Sequence, residues 1–431
     1  MNKLNTILQH PSEQIADIIK RIYLAGMTTT SGGNISIMDK EGDIWVSPSA
    51  IDKGTLRNSD IVCVKKDGTI IGNHKPSSEY PFHKAIYDSR PDIRAIVHAH
   101  PPALVSFSIV RKIPETNIIP QAKHICGSIG YAKYEIPGSA ELGALIAEEF
   151  RKGLNAVIME NHGTVVGGAD LKEAYIRFET LEFAARTIIN AKTVGEPVFL
   201  TDKQIDAFES QIGVDIPDMT ETEHPSDELL IRKNISELVR RACEQGLMIG
   251  SYGTVSVRWR ENDFLITPRN IPRWEMSIED IVQIRNGQKE PGKLPSRAVW
   301  LHSQIYKQNP HINSIIITQP PNIMAFGVSN ARLDVRTIPE SWIFLQDIPR
   351  IPFGEQFNFN HTIPDIFETR VPAVIVQNDS VIVTGDAFLQ TFDRLEVAEF
   401  SAKSLIMANP LGSLVPINED QIEGLRKKFL F

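Results

Sequence analysis

The sequence predicts an α/β fold present twice, as two domains in tandem. Three observations predict it. The chain has 431 residues, more than one hydrophobic core comfortably serves. Stretches with apolar residues at helical spacing alternate with short apolar runs bounded by glycine and proline. The motifs of the first half also return in the second in one register: Ser296 follows Ser77, and Pro320 follows Pro101, by the same 219 positions. The expected division is a first domain over 1–200, a linker over 201–226 and a second domain over 227–431.

Along the first copy, residues 15–25 read as an amphipathic helix with Ser12 as N-cap and Gly26 as its stop. Ser31-Gly32-Gly33-Asn34-Ile35-Ser36-Ile37 is a glycine turn entering a strand, and 44–51 is a strand ending in a proline turn. Residues 61–64 and 69–71 flank Lys66-Asp67-Gly68, a hairpin signal. Pro76-Ser77-Ser78-Glu79 puts capping residues at the start of a helix running to Tyr87. The apolar run 93–97 is a buried strand closing at Pro101-Pro102. A helix over 140–153, a strand over 156–159 ending in Glu160-Asn161-His162-Gly163, and a long helix over 171–193 complete the copy. Residues 205–212 add helical turns, and 215–226, rich in Pro, Glu and Thr, read as an exposed linker.

The pattern then restarts. A helix over 229–245 stops at Gly246, and Ser251-Tyr252-Gly253-Thr254-Val255-Ser256-Val257 repeats 31–37. Leu265-Ile266-Thr267-Pro268-Arg269 repeats 45–49, and Pro295-Ser296-Arg297-Ala298 repeats 76–79. Residues 315–321 repeat 96–102, and Val376-Gln377-Asn378-Asp379-Ser380 repeats 159–163.

Composition narrows the function classes. Apolar content of 42% and charged content of 23% are those of a soluble globular protein. A net charge of −8 offers no basic surface to nucleic acid or anionic lipid. No apolar run is long enough to span a membrane, and residues 1–20 lack the uninterrupted apolar core of a signal peptide. Cys63, Cys126 and Cys243 are scattered, odd in number and without metal spacing, which points to reduced thiols in a cytoplasm.

The chemistry centres on His98-Ala99-His100 at a strand end. Side chains alternate along a strand, so both imidazoles point the same way and can grip one metal ion. Such a pair is weak evidence alone, because metal sites gather several ligands. Comparing the two copies strengthens it. Shared positions serve the shared fold, and His83 with His302 and Tyr87 with Tyr306 are read as structural. The differences fall together: His98 is matched by Ile317, His100 by Gln319, His162 by Asp379 and Glu79 by Ala298. Three imidazoles and a carboxylate suit zinc or another divalent transition metal, with a labile position marking a catalytic site. Gly33, Asn34, Ser49, Ser77 and Ser78 supply small hydrogen-bonding groups near glycine turns and a helix N-terminus. They read either as caps and turns or as a phosphate cradle, and beside the metal cluster the cradle is favoured. Arg269 and Arg297 stand at the positions of Ser49 and Ser78. They either fill the vacated pocket, the favoured reading, or bind an acidic group there.

The motifs Gly32-Gly33-Asn34-Ile35-Ser36, Ser47-Pro48-Ser49, Ser77 through His83, His98 through Pro102, and Asn161-His162-Gly163 resemble, in order and spacing, those of the class II aldolase/adducin family. The resemblance covers 10–195 well and 227–411 as a degenerate copy. It implies an α/β/α layered sandwich with a central mixed β-sheet. By position it implies zinc held by His98, His100 and His162, with Glu79 as fourth ligand at rest and as proton-transfer base when substrate displaces it. It implies phosphate held by Asn34, Ser49, Ser77 and Ser78 with the backbone around Gly33. The implied activity is that of a zinc-dependent lyase cleaving a phosphorylated sugar through a metal-stabilised enediolate. Epimerase, decarboxylase and dehydratase chemistry, or an adducin-like assembly module without chemistry, are the alternatives. Ala50 departs from the family's usual glycine. His124 stands near where the fuculose-phosphate members place a proton-donating tyrosine; it is either the donor or an unrelated surface residue, and Tyr131 is a further donor candidate. The family's ring assemblies imply a homo-oligomer in which two tandem chains mimic a four-unit ring.

Overall fold

The structure, a computed structural model, describes residues 9–211, 214–358, 362–369 and 371–429. Its Cα packing divides the chain into two compact units, one of Met1–Thr116 with Gln121–Arg186 and one of Asn117–Pro120 with Thr187–Phe431. Each contains an eight-stranded sheet.

In the first unit the strands are β1 Asn34–Met38, β2 Ile44–Val46, β3 Val62–Val64, β4 Ile70–Ile71, β5 Ala95–Ala99, β6 Gly130–Ala132, β7 Ala156–Met159 and β8 Thr164–Gly168. They lie in the order β4-β3-β2-β1-β5-β8-β7-β6. Every pairing is antiparallel except β6 with β7, so the sheet is mixed, as expected. The helices are α1 Pro11–Leu24, α2 Tyr80–Ser89, α3 Pro102–Ile109, α4 Pro120–Cys126 from its second residue, α5 Ala140–Arg151 and α6 Leu171–Val194 as far as Arg186. Phe82, Ile86 and Tyr87 of α2 and Leu142, Ile146 and Phe150 of α5 form one core with Val46, Val62, Ile96, Val157 and Val165 of the sheet.

The second unit repeats this plan after α7 Asp202–Glu209 and α8 Ser226–Glu244. Its strands are β9 Thr254–Arg260, β10 Asp263–Ile266, β11 Val282–Arg285, β12 Gln288–Lys289, β13 Ser314–Thr318, β14 Arg350–Ile351, β15 Ala373–Val376 and β16 Ser380–Gly385, and α9 is Val299–Gln308. The order β12-β11-β10-β9-β13-β16-β15-β14 reproduces the first sheet, with β14 and β15 again the parallel pair. The register repeats as well: His98 faces Asn34 across β5 and β1, and Ile317 faces Thr254 across β13 and β9.

Local expectations were met unevenly. His10, not Ser12, caps α1: its Nδ1 accepts from the Ser12 N–H at 3.3 Å, because Pro11 already begins the helix. Glu79 precedes α2 but makes no capping bond; Ser77 Oγ accepts from the Glu79 N–H at 3.2 Å instead. The stretch 215–226 is not wholly exposed. Met219 is buried and its N–H donates to Lys289 O at 2.9 Å, tying the stretch to β12. Of the helical turns expected over 205–212, α7 ends at Glu209, and Ile212 lies outside the described residues.

The histidines shared by both copies are structural, as expected. His83 Nδ1 is bonded to Ser36 Oγ at 2.7 Å, which is bonded in turn to Tyr87 Oη at 2.7 Å. His302 Nδ1 meets Ser256 Oγ at 2.6 Å, and Ser256 Oγ meets Tyr306 Oη at 2.7 Å. Burial pushes each imidazole down to about 3, with the His98 charge adding to the effect at His83. An unfolded histidine titrates near 6.5, so as pH falls below that value the unfolded chain takes up protons the fold refuses. Stability is then withdrawn by up to about 1.4 kcal/mol per pH unit for each of the two. Thermal unfolding is expected to shift to lower temperature between pH 7 and pH 5; a midpoint rising on acidification would contradict this.

Candidate metal centre

The site forms where β5 ends. This strand is central, flanked by β1 and β8, and all five of its residues are buried. It closes at Pro101 and Pro102, which carry no N–H to extend the ladder. Pro102 starts α3, and the Glu182 carboxylate accepts from the Ala103 and Leu104 N–H groups at 3.1 and 3.0 Å, fixing that start just beyond His100. His162 comes from the turn joining β7 to β8. Asn161 there adopts φ 53°, and Gly163 is required because a Cβ would lie 2.6 Å from Ala99 O and 2.7 Å from the His100 ring.

Three rings meet. His98, His100 and His162 offer nitrogens that all lie within 4.8 Å of one another. His98 Nε2 faces His100 Nε2 at 3.1 Å, and Glu79 joins them with Oε2 3.1 Å from His98 Nε2 and Oε1 3.3 Å from His162 Nε2. The Nδ1–H of His98 donates to Thr164 O at 2.9 Å, which leaves Nε2 as the nitrogen turned toward the others.

Electrostatics suit a cation. Burial and the neighbouring His98 and His162 charges push His100 down to about 3, while burial and the His98 charge push His162 down to about 4. Both are therefore neutral at pH 7, the form in which imidazole binds metal. Burial alone would raise Glu79, but His98, His162 and the Asn34 amide outweigh it and hold the carboxyl well below its usual range. Burial alone would lower His98, yet the Glu79 carboxylate and the Thr164 carbonyl hold it raised. Glu79 Oε1 is buried without a hydrogen-bond donor. Facing ring nitrogens and a donorless carboxylate oxygen fit a divalent cation held by His98, His100, His162 and Glu79.

Asn34 has a position that its sequence context did not suggest. Its Nδ2 donates to Glu79 Oε2 at 2.7 Å, and its Oδ1 is bonded to His83 Nε2. The amide thus holds the carboxylate against the ring cluster. Of the other expected cradle residues, Gly33 takes φ 71°, Ser49 is half-buried, Ser77 is buried and Ser78 is exposed. The strand turn bearing Ser49 and the N-terminus of α2 are joined: Ser49 N–H donates to Lys75 O at 3.1 Å and Ser77 N–H to Ser47 O at 3.2 Å. Ala50 takes φ 55°, the left-handed conformation for which the family's glycine is suited. His124 is exposed on α4, outside the ring cluster, and Tyr131 is half-buried on β6. Sequence reasoning missed Lys53. It is 2% exposed, with Nζ donating to Pro48 O at 3.0 Å beneath the Ser49 turn, and Arg273 makes the same contact to Pro268 O at 3.1 Å. The shared register of these two cations was the available signal.

In the second unit the matching positions hold Ile317, Gln319, Asp379 and Ala298, and among the described residues no second ligand group forms. Fold and site together define an α/β protein with a duplicated frame and, among the described residues, one group of imidazoles that could hold a metal ion. The chain belongs to the Class II Aldolase and Adducin N-terminal domain family, whose model matches residues 13–189 and again 233–406. It is 33% identical over 203 residues to the 5-deoxy-D-ribulose 1-phosphate aldolase of Bacillus thuringiensis serovar kurstaki, covering 46% of this chain and 94% of that one. It is 36% identical over 180 residues to the L-fuculose phosphate aldolase of Methanocaldococcus jannaschii, 41% of this chain and 96% of that one. It is 28% identical over 204 residues to the 3-oxo-tetronate 4-phosphate decarboxylase of Haemophilus influenzae, 46% of this chain and 96% of that one. Among solved structures, YgbL of Klebsiella pneumoniae is similar with a TM-score of 0.43 and 28% identity, covering 46% of this chain and 96% of that one. These curated relatives are lyases by name. No described helix is long and apolar enough to cross a membrane.

Proposed function

We propose that the first unit is a zinc-dependent lyase that cleaves a phosphorylated sugar by retro-aldol chemistry, and that the second unit is catalytically blank. The observation that carries this reading is the convergence of His98, His100, His162 and Glu79 at one point, against Ile317, Gln319, Asp379 and Ala298 in the other copy. A divalent transition ion held by the three imidazoles supplies Lewis acidity to a carbonyl next to the bond that breaks, worth several kcal/mol.

The chain's own residues do the rest. Glu79 moves the proton through Oε1, the oxygen without a donor, while Asn34 fixes Oε2. Against the effect of burial, His98, His162 and the Asn34 amide lower the proton affinity of Glu79 and keep it ionised at pH 7. Asn34, Ser49, Ser77, Ser78 and the backbone at Gly33 hold the phosphate beside the N-terminus of α2. The hydroxyl on the carbon released as aldehyde gives up its proton to His124 or Tyr131 as the carbon–carbon bond breaks. A homo-oligomer accompanies this reading, and exposed Phe400, Met407, Leu411 and Val415 offer apolar area for it; a monomer in light scattering would remove this part.

The test is turnover with a panel of ketose 1-phosphates, following aldehyde and dihydroxyacetone phosphate release, alongside 3-oxo acid phosphates, following carbon dioxide. Aldehyde release supports the aldolase reading. Carbon dioxide release alone moves the protein to the decarboxylase chemistry named for the Haemophilus influenzae relative.

A further inference from the structure

The second unit keeps the frame of the first unit's loops and changes what hangs from it. Pro268 bridges Pro295 as Pro48 bridges Pro76. Arg269 N–H donates to Leu294 O at 2.9 Å and Ser296 N–H to Thr267 O at 3.1 Å, the counterparts of the bonds made by Ser49 and Ser77. This frame sets residues 269 and 297 beside the N-terminus of α9, whose N-cap Ala298 makes no side-chain cap. Small hydroxyls at these two positions in the first copy are guanidiniums here.

Neither arginine is matched by an acid. Among the described residues no carboxylate pairs with Arg269 or Arg297. Arg297 lies over the Phe208 ring, 4.9 Å from its centroid, which leaves its N–H edge free for a forked bond. Arg269 Nε is buried without an acceptor. Burial and the nearby Arg297 charge both lower its proton affinity. Two like charges and an unsatisfied buried donor are a costly way to fill a pocket, and a bound anion relieves both.

A third group points inward. His302 is fully buried and its Nε2 has no partner. The equivalent nitrogen of His83 meets Asn34, but residue 254 is threonine, with its hydroxyl turned to Ser296 Oγ at 2.6 Å. Where the first unit sets Asn34 against His83, the second thus has the Thr254–Ser296 hydroxyl pair and an imidazole nitrogen without a partner.

We propose that the second unit binds a phosphate-class dianion between Arg269, Arg297, Ser296 and the N-terminal amides of α9, without turning it over. The site lacks Glu79 and the three imidazoles, so it holds its ligand and does no chemistry. It does not depend on the activity proposed for the first unit.

The test is isothermal titration of the full chain with inorganic phosphate and, separately, with glycerol 3-phosphate. Wild type is compared with the Arg269→Gln/Arg297→Gln and Arg269→Lys/Arg297→Lys variants. One binding event is expected to depend on the arginines, weakening about tenfold or more in the glutamine variant and less in the lysine variant. Removing the like charges is expected to leave the ligand-free melting temperature unchanged or raised. Tighter binding of the ester identifies a phosphomonoester as the ligand, and equal binding identifies free phosphate. Binding that is the same in all three proteins, or no event tighter than about 10 mM, overturns the proposal. Succinate binding as tightly as phosphate overturns the phosphate assignment. Should the glutamine variant fail to fold, the lysine variant carries the comparison.

Discussion

Glu79→Gln is expected to keep the metal and lose turnover by roughly 10²–10⁴-fold, the range a positioned general base contributes. Glutamine matches the size of glutamate and still presents an oxygen to the ring cluster, so His98, His100 and His162 remain free to hold the ion. What it cannot do is take up and return a proton. The carboxylate sits with Oε2 on the Asn34 amide at 2.7 Å and Oε1 buried and donorless, a pose that leaves one oxygen for chemistry. Parallel measurement of metal content and steady-state turnover separates the two roles. A glutamine variant that turns over at the wild-type rate would end the assignment of Glu79 as base.

His98→Ala is expected to release the metal and lower turnover by roughly 10³-fold or more, since Lewis acidity worth several kcal/mol goes with the ion. This ring is the best anchored of the three. It is 1% exposed, fixed through Nδ1 to Thr164 O at 2.9 Å, and within 3.1 Å of both His100 and Glu79. Its loss also leaves a buried cavity and takes one partner from the Glu79 carboxylate, costing about 1–3 kcal/mol in stability, so a melting curve accompanies the assay. Gln319→Ala, at the position matching His100, is the control and is expected to change neither metal content nor turnover. Metal retained at full stoichiometry by His98→Ala would place the ion elsewhere.

The duplication and the side chains that converge at the end of β5 were legible in the sequence for a physical reason. Two copies in one register share what the fold needs, so the double prolines, Ser36 with Ser256 and Tyr87 with Tyr306 stand out as frame. The residues that differ together stand out as chemistry. His98 and His100 were readable as a pair because strand alternation fixes which face they share. What stayed hidden depends on contacts between residues far apart in the chain. Asn34 reaches Glu79 and His83 across 45 and 49 positions, and nothing local marks an asparagine after a glycine turn as the clamp on a carboxylate. Glu79 read both as a capping residue and as a ligand, because local spacing cannot say whether a side chain turns back to its own helix or toward a neighbouring strand. The His10 cap was masked by Ser12, a better capper by propensity that Pro11 carried into the helix. Lys53 was passed over because buried lysines are rare, although Arg273 in the same register was the clue.

Anomalous diffraction at the zinc edge, from crystals grown with the metal, tests the central claim most directly. One peak per chain is expected, among the imidazoles of His98, His100 and His162. A peak beside Ile317, Gln319 and Asp379, two peaks per chain, or no peak between those three rings would contradict it.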